Sequence, residues 1–179
     1  IRDRDYSKAL EYFEEVLKIR LSVYGENHSR VASVYNDIGE IYSVQGDDFK
    51  ALDYFKKSLK IVLSVYGENH SQVSSIYDHI GEIYFAQKDY SKALYYFEES
   101  LKIRLSLFGE NHPEVALSYY SIGSLYIIQG DKSKALNYYE KSLKIRLSVY
   151  GENHPLTKEI MDLINVANSK VLQSPETTK

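Results

Sequence analysis

Apolar residues recur along this chain at helical spacing, interrupted at regular intervals by polar links that contain glycine. Val31, Val34, Tyr35, Ile38 and Tyr42 fall on one stripe, as residues three or four apart do on a 3.6-residue turn. The stripe returns as Tyr77, Ile80 and Tyr84, and again as Tyr119, Ile122 and Tyr126. A second pattern follows each of these. Ala51, Leu52, Phe55, Leu59 and Leu63 make an apolar face, with Lys50, Lys56, Lys57 and Lys60 on the rest of the helix. Gly46 predicts the end of the first helix and Asp47 the cap of the next. A link this short makes the two helices antiparallel neighbours. Each is expected to run about 14 to 18 residues, too short to be stable by itself.

The tetrapeptide Gly-Glu-Asn-His begins at Gly25, Gly67, Gly109 and Gly151, which sets a period of 42 residues. A unit of that size cannot bury its apolar face alone, so successive units must stack. The pattern predicts a single array over residues 1–172. It opens with a half repeat (1–24), continues through full repeats at 25–66, 67–108 and 109–150, and closes with a capping helix at 151–172. Eight helices are expected, the first near residues 6–23 and the last near 155–171. Ile1 falls where a preceding first-type helix would end, so a longer parent array is expected. Asn165 and Asn168 take the places of Gly39 and Tyr42, which predicts a solvent-facing final helix. The polar composition of 173–179 predicts a disordered tail.

Charge and composition narrow the function. A net charge of -3 and a pI near 6.0 argue against a nucleic-acid surface, which needs a clustered excess of Lys and Arg. No apolar run suits a membrane span and no signal segment opens the chain, so a cytoplasmic protein is expected. Cysteine is absent, which removes disulfides and thiolate chemistry. Asn27-His28-Ser29 and Asn69-His70-Ser71 match a glycosylation pattern, but both lie where a helix should start.

The series His28, His70, His112 and His154 invites a metal reading, and geometry opposes it. Equivalent atoms in stacked helices lie about 8–10 Å apart, whereas two ligands of one zinc ion lie within about 4 Å. The structural alternative makes Gly25, Gly67, Gly109 and Gly151 left-handed helix caps, with Asn-His as the link and Pro113 and Pro155 in the next first turn. Acidic residues repeat with the period, as in Glu14 with Lys18, Glu98 with Lys102 and Glu140 with Lys144, and read as solvated helix pairs. No phosphate loop, nucleophile elbow or His-Glu helix motif is present, so neither an enzyme nor a bound cofactor or metal is expected.

Tyr35, Ile38, Gly39 and Tyr42, followed by Ala51 and Phe55, resemble the tetratricopeptide pattern, with Tyr in place of Trp. The set returns as Tyr77, Ile80, Gly81, Tyr84, Ala93 and Phe97, and as Tyr119, Ile122, Gly123, Tyr126, Ala135 and Tyr139. The small residues suit helices that touch where they cross. The 42-residue unit, clearest from Ser100 to Ala116, further resembles repeats of the kinesin light chain family. The resemblance implies an all-α, right-handed superhelical solenoid of antiparallel helix pairs that binds peptide segments of other proteins in a concave groove. The paired Asn residues of that family correspond here to Asn36-Asp37, Asp78-His79 and Tyr120-Ser121, and only Asn36 matches. Its cargo specificity therefore does not carry over.

The groove face that the resemblance implies carries Asn36, Asp37, Glu40, Asp78, His79, Glu82, Phe85, Tyr120, Ser124 and Ile127. No Lys or Arg occurs from Val31 to Asp48, from Val73 to Gln87 or from Val115 to Gln129. A groove negative where it is not apolar is expected, suited to a neutral or basic, partly hydrophobic peptide. The alternatives are a structural module that self-associates head to tail through its unpaired terminal helices, and a sensor or adaptor part of a larger signalling protein.

Overall fold

The computed structural model describes residues 2–169; Ile1, the last residues of the expected capping helix and the expected tail lie outside them. Eight helices and no strand occur among the described residues. The second-type helices are α1 (Arg2–Tyr24), α3 (Asp48–Tyr66), α5 (Tyr90–Phe108) and α7 (Lys132–Tyr150). The first-type helices are α2 (Ser29–Gln45), α4 (Ser71–Ala86), α6 (Pro113–Ile128) and α8 (Pro155–Ser169). The second-type helices exceed the expected length, at 19 residues for α3, α5 and α7 and 23 for α1. Nothing before the glycine breaks them, so Ser64-Val65-Tyr66 and its equivalents stay helical.

Two compact units divide the chain, residues 1–103 and 104–179. In the first, α2 packs on α3 and on α1, and α3 on α4. Its core includes Val31, Val34, Ile38, Phe55, Val73, Ile80 and Ile83. In the second, α6 packs on α7 and α7 on α8, over Val115, Ile122, Leu125, Tyr139 and Ile160.

Small residues set the approach of paired helices. A Cβ built on Gly39 would lie 2.8 Å from the Phe55 ring, and one on Gly81 2.7 Å from Phe97. The Phe of each second-type helix therefore seats directly on bare backbone. Behind this contact Tyr42 stacks on Tyr54 at 5.6 Å and Tyr84 on Tyr96 at 5.7 Å. Lys50 and Lys92 lie 4.8 and 4.9 Å from the Tyr42 and Tyr84 rings. The tyrosines of the repeat pattern are packing residues, half-buried under lysine stems.

The sequence reading is corrected in three places. Gly67 has φ 78° but ψ -177°, and Gly151 φ 79° and ψ 169°, so the backbone turns outward instead of continuing into a left-handed cap; Gly46, with ψ 13°, is the left-handed one. The histidine is a cap, not a linker: Nδ1 of His28, His70, His112 and His154 accepts the backbone N–H two residues on, at 3.1 to 3.3 Å. Each ring also stacks on the aromatic four residues earlier, from Tyr24–His28 at 4.6 Å to Tyr66–His70 at 4.2 Å. Finally, Lys102 lies 3.7 Å from Glu99 and so pairs three residues back, where Glu98 was expected.

Candidate functional site

Four of the expected residues come together on α2 and α4. Asn36 Nδ2 donates to Glu40 Oε1 at 2.6 Å, one helical turn on. His79 Nε2 lies 3.7 Å from the same Glu40 oxygen, and its ring sits 5.0 Å from Phe55. Asp37 is half-buried beside them. Burial raises its carboxyl above the usual 3.8, the nearby Glu40 charge adds to this, and Arg20 opposes it. A carboxylate so placed carries a charge that its surroundings only partly offset.

Asn36 and Asp37 line a cavity of about 120 Å³ between α2, α3 and α4. Asp37 and Glu40 also border a more open depression of about 290 Å³ whose other walls are Tyr6, Phe13, Ile41 and Val44. Asp37 thus borders both spaces, and Glu40 the trough alone. Of the remaining expected residues in this unit, Asp78 is half-buried, Glu82 is exposed, and Phe85 is half-buried with its ring 5.9 Å from Tyr90.

In the second unit two of the expected residues, both half-buried, bond to other groups of the chain. The Tyr120 hydroxyl donates to Glu159 Oε1 at 3.1 Å, its ring lies 4.9 Å from the Arg146 guanidinium, and burial raises its pKa. Ser124 Oγ donates to the Tyr120 carbonyl at 2.9 Å and lies 3.2 Å from the Tyr139 hydroxyl. Ile127 remains exposed. Tyr120 and Ser124 are bound up in packing, and Ile127 alone of the three stands open.

Sequence reasoning passed over a set of arginines. Arg20 Nη1 donates to the Arg30 carbonyl at 2.6 Å and to Ser33 Oγ at 2.8 Å. Arg104, only 4% exposed, donates to Ser118 Oγ at 2.8 Å and lies 2.9 Å from Glu114. Arg146, also 4% exposed, donates to the Leu156 carbonyl at 2.6 Å and lies 3.5 Å from Glu159. Basic groups of second-type helices therefore reach the first turns of first-type helices, and Arg30 itself lies in the first turn of α2. Stepping by 42 along the second-type helices shows these positions in register.

No cluster of three or more potential metal ligands occurs among the described residues. No described helix is long and apolar enough to cross a membrane. No curated protein matches the chain in sequence. Solved structures do match in fold. BtubC (BKLC) from P. vanneervenii has a TM-score of 0.78 at 20% identity, over 99% of this chain and 79% of its own. Nearly identical kinesin light chain-type repeats from P. anserina give 0.72 at 15% identity, over 97% and 91%. The apo form of RapI gives 0.79 at 18% identity, over 96% of this chain and 60% of RapI. The family model described as tetratricopeptide repeat matches residues 1–64, 30–106 and 72–148. Repeats of that family generally mediate protein–protein interaction as non-catalytic scaffolds. The matched residues, the paired helices and the Gly39–Phe55 type of crossing together place this chain in the tetratricopeptide repeat family.

Proposed function

We propose that the array is a non-catalytic scaffold that holds a neutral or basic, partly hydrophobic peptide on its first-type helices. The observation that carries this reading is the position of Asp37 and Glu40, two carboxylates that border an apolar trough walled by Tyr6, Phe13, Ile41 and Val44. Such a surface attracts cations and rewards burial of an apolar side chain, while an acidic segment meets like charge. Asp78 and Glu82 on α4 carry the same sign. A peptide array probed with the chain and with Glu40→Lys/Glu82→Lys tests it. Basic and neutral peptides should bind, and the double variant should lose them; a preference for acidic peptides that the double variant leaves unchanged would sink the reading.

Head-to-tail self-association is the second reading, favoured by Tyr12, Ile19 and Val23 of α1, which are 64%, 62% and 63% exposed. Asn165 and Asn168 on α8, both exposed, weigh against it. Light scattering across a concentration series separates the two, since a constant monomer mass excludes the assembly.

A further inference from the structure

Residues 20, 62, 104 and 146 stand one 42-residue step apart and read Arg, Val, Arg, Arg. Three of the four junctions thus carry a guanidinium that bonds to the following helix. The α3–α4 junction has Val62 instead, 1% exposed and without a hydrogen-bonding group. One step on from Arg30 and Ser33, the partners of Arg20, stand Gln72 and Ser75. Both line the cavity of about 120 Å³, and so does Val62. At this cavity Val62, Gln72 and Ser75 therefore take the places of Arg20, Arg30 and Ser33, and the guanidinium is the missing member.

Its polar lining is matched to a donor. Ser58 Oγ gives its proton to the Ala32 carbonyl at 2.8 Å, and Ser75 Oγ to the Ser71 carbonyl at 3.1 Å, which leaves both oxygens to accept. Asn36 Oδ1 is shielded from solvent and has no partner, because its amide nitrogen is committed to Glu40. The Asp37 carboxylate adds a charge. A buried acceptor without a donor costs stability, and supplying the donor recovers it. Val62 and Ile76 give the apolar walls against which a hydrocarbon stem packs.

We propose that this cavity takes the guanidinium of an arginine side chain from a bound partner peptide. Arginine is preferred over lysine because a planar fork with five donors and no acceptor can meet several acceptors at once, whereas an ammonium is a more strongly hydrated point charge. The proposal rests on the peptide-scaffold reading and gives that peptide one required residue. It also makes Val62 the specificity-determining position, since arginine there would occupy the cavity from within.

The test is an amide NMR titration of the full chain with Nα-acetyl-arginine amide, beside the lysine and norleucine analogues. Saturable shifts are expected at Asn36, Asp37, Ser75 and Ile76, with the lysine compound about fivefold weaker or worse and norleucine silent. Val62→Arg should abolish the shifts, and the near-isosteric Asp37→Asn should weaken them about fivefold without a large change at position 62. Equal response to lysine and arginine, or undiminished binding by folded Val62→Arg or by Asp37→Asn, overturns the proposal. The peptide array separates this failure from that of the scaffold. Basic peptides that bind equally after Arg→Lys exchange leave the scaffold standing without the arginine site; saturation by the amide with no peptide bound does the reverse.

Discussion

The α1–α2 and α3–α4 junctions share a 42-residue step and a packing plan, yet the first carries Arg20, which borders an open depression with Arg30 and Ser33, and the second has a cavity beside Val62. At the first, one guanidinium joins the Arg30 carbonyl to Ser33. At the second, the equivalent polar groups of Gln72 and Ser75 line a cavity. The comparison teaches that the repeat has a structural slot for a cation, and that a single apolar substitution turns a packing position into a candidate binding site. If so, the arginines elsewhere must matter to stability, the rest of the junctions must be alike, and Asp37 must be held at some cost.

The largest effect should come from Arg146→Val, which makes the α7–α8 junction resemble the α3–α4 one. It orphans the Leu156 carbonyl, removes the cation paired with Glu159, and leaves Tyr120 without the cation over its ring. Breaking a buried pair typically costs about 3–5 kcal/mol, reduced here to about 2–3 kcal/mol because Glu159 is half exposed. A Tm lower by roughly 5–10 °C follows for a chain of this size. A calorimetric change under about 2 °C would mean that the arginine slot is not structural.

How much of this was legible in the sequence depends on which interaction carried the signal. Helices announce themselves through periodicity, and Gly39 and Phe55 through their fixed spacing, because these depend on neighbours within one helix pair. The buried arginines do not. Arg104 and Arg146 sit on helices rich in exposed Lys and Glu, and only the packing of the following helix covers them. His28 and its equivalents were assigned to the link because His is not among the favoured N-caps, and the aromatic ring that holds it lies across a glycine. Helical phase brings Asn36, Asp37 and Glu40 together on α2, but Ser75 and Val62 come from helices whose register a single helix pattern does not reveal. The bond from Tyr120 to Glu159 is equally hidden from a local pattern, because the two lie 39 residues apart.

A second, smaller effect tests whether the helix pairs that follow the two junctions, α2–α3 and α4–α5, cross alike. Gly39→Ala and Gly81→Ala both press a methyl group to within 2.8 and 2.7 Å of an aromatic ring. Overpacking costs about 1–3 kcal/mol and the better helix propensity of Ala returns about 1, so each variant should lose roughly 1–2 kcal/mol. Urea midpoints should fall equally in both. A marked inequality would show that the helix crossings themselves differ, and the comparison would then no longer rest on Val62 alone. Below these lies Arg20→Val. Arg20 is only half-buried, so losing its two hydrogen bonds should cost about 1 kcal/mol by the same measurement, less than Arg146→Val. Equal losses at the two sites would contradict the role given to burial.

The smallest effect has the opposite sign. Asp37 is raised above the usual 3.8 first by burial and then by Glu40, with Arg20 opposing and His79 close to Glu40. A carboxyl raised in the folded state favours folding while it is protonated, and its charged form costs stability once pH climbs past the raised value. Asp37→Asn removes that charge. At pH 7 it should stabilise the fold by about 0.5 kcal/mol, a figure already reduced for solvent screening at a half-exposed group, or roughly 1–2 °C in Tm. Below the usual 3.8 both side chains are neutral and the advantage should vanish. The capping carboxylates Asp47, Asp89 and Asp131, lowered chiefly by hydrogen bonds from Lys50, Lys92 and Lys134, lose their contribution in that acid range in both proteins and cancel from the difference. Greater stability at pH 7 coupled with weaker binding of the arginine amide identifies a residue kept for a ligand at the expense of the fold. A variant less stable at pH 7 would instead make Asp37 a structural partner of Arg20, and the two junctions would then share one cation.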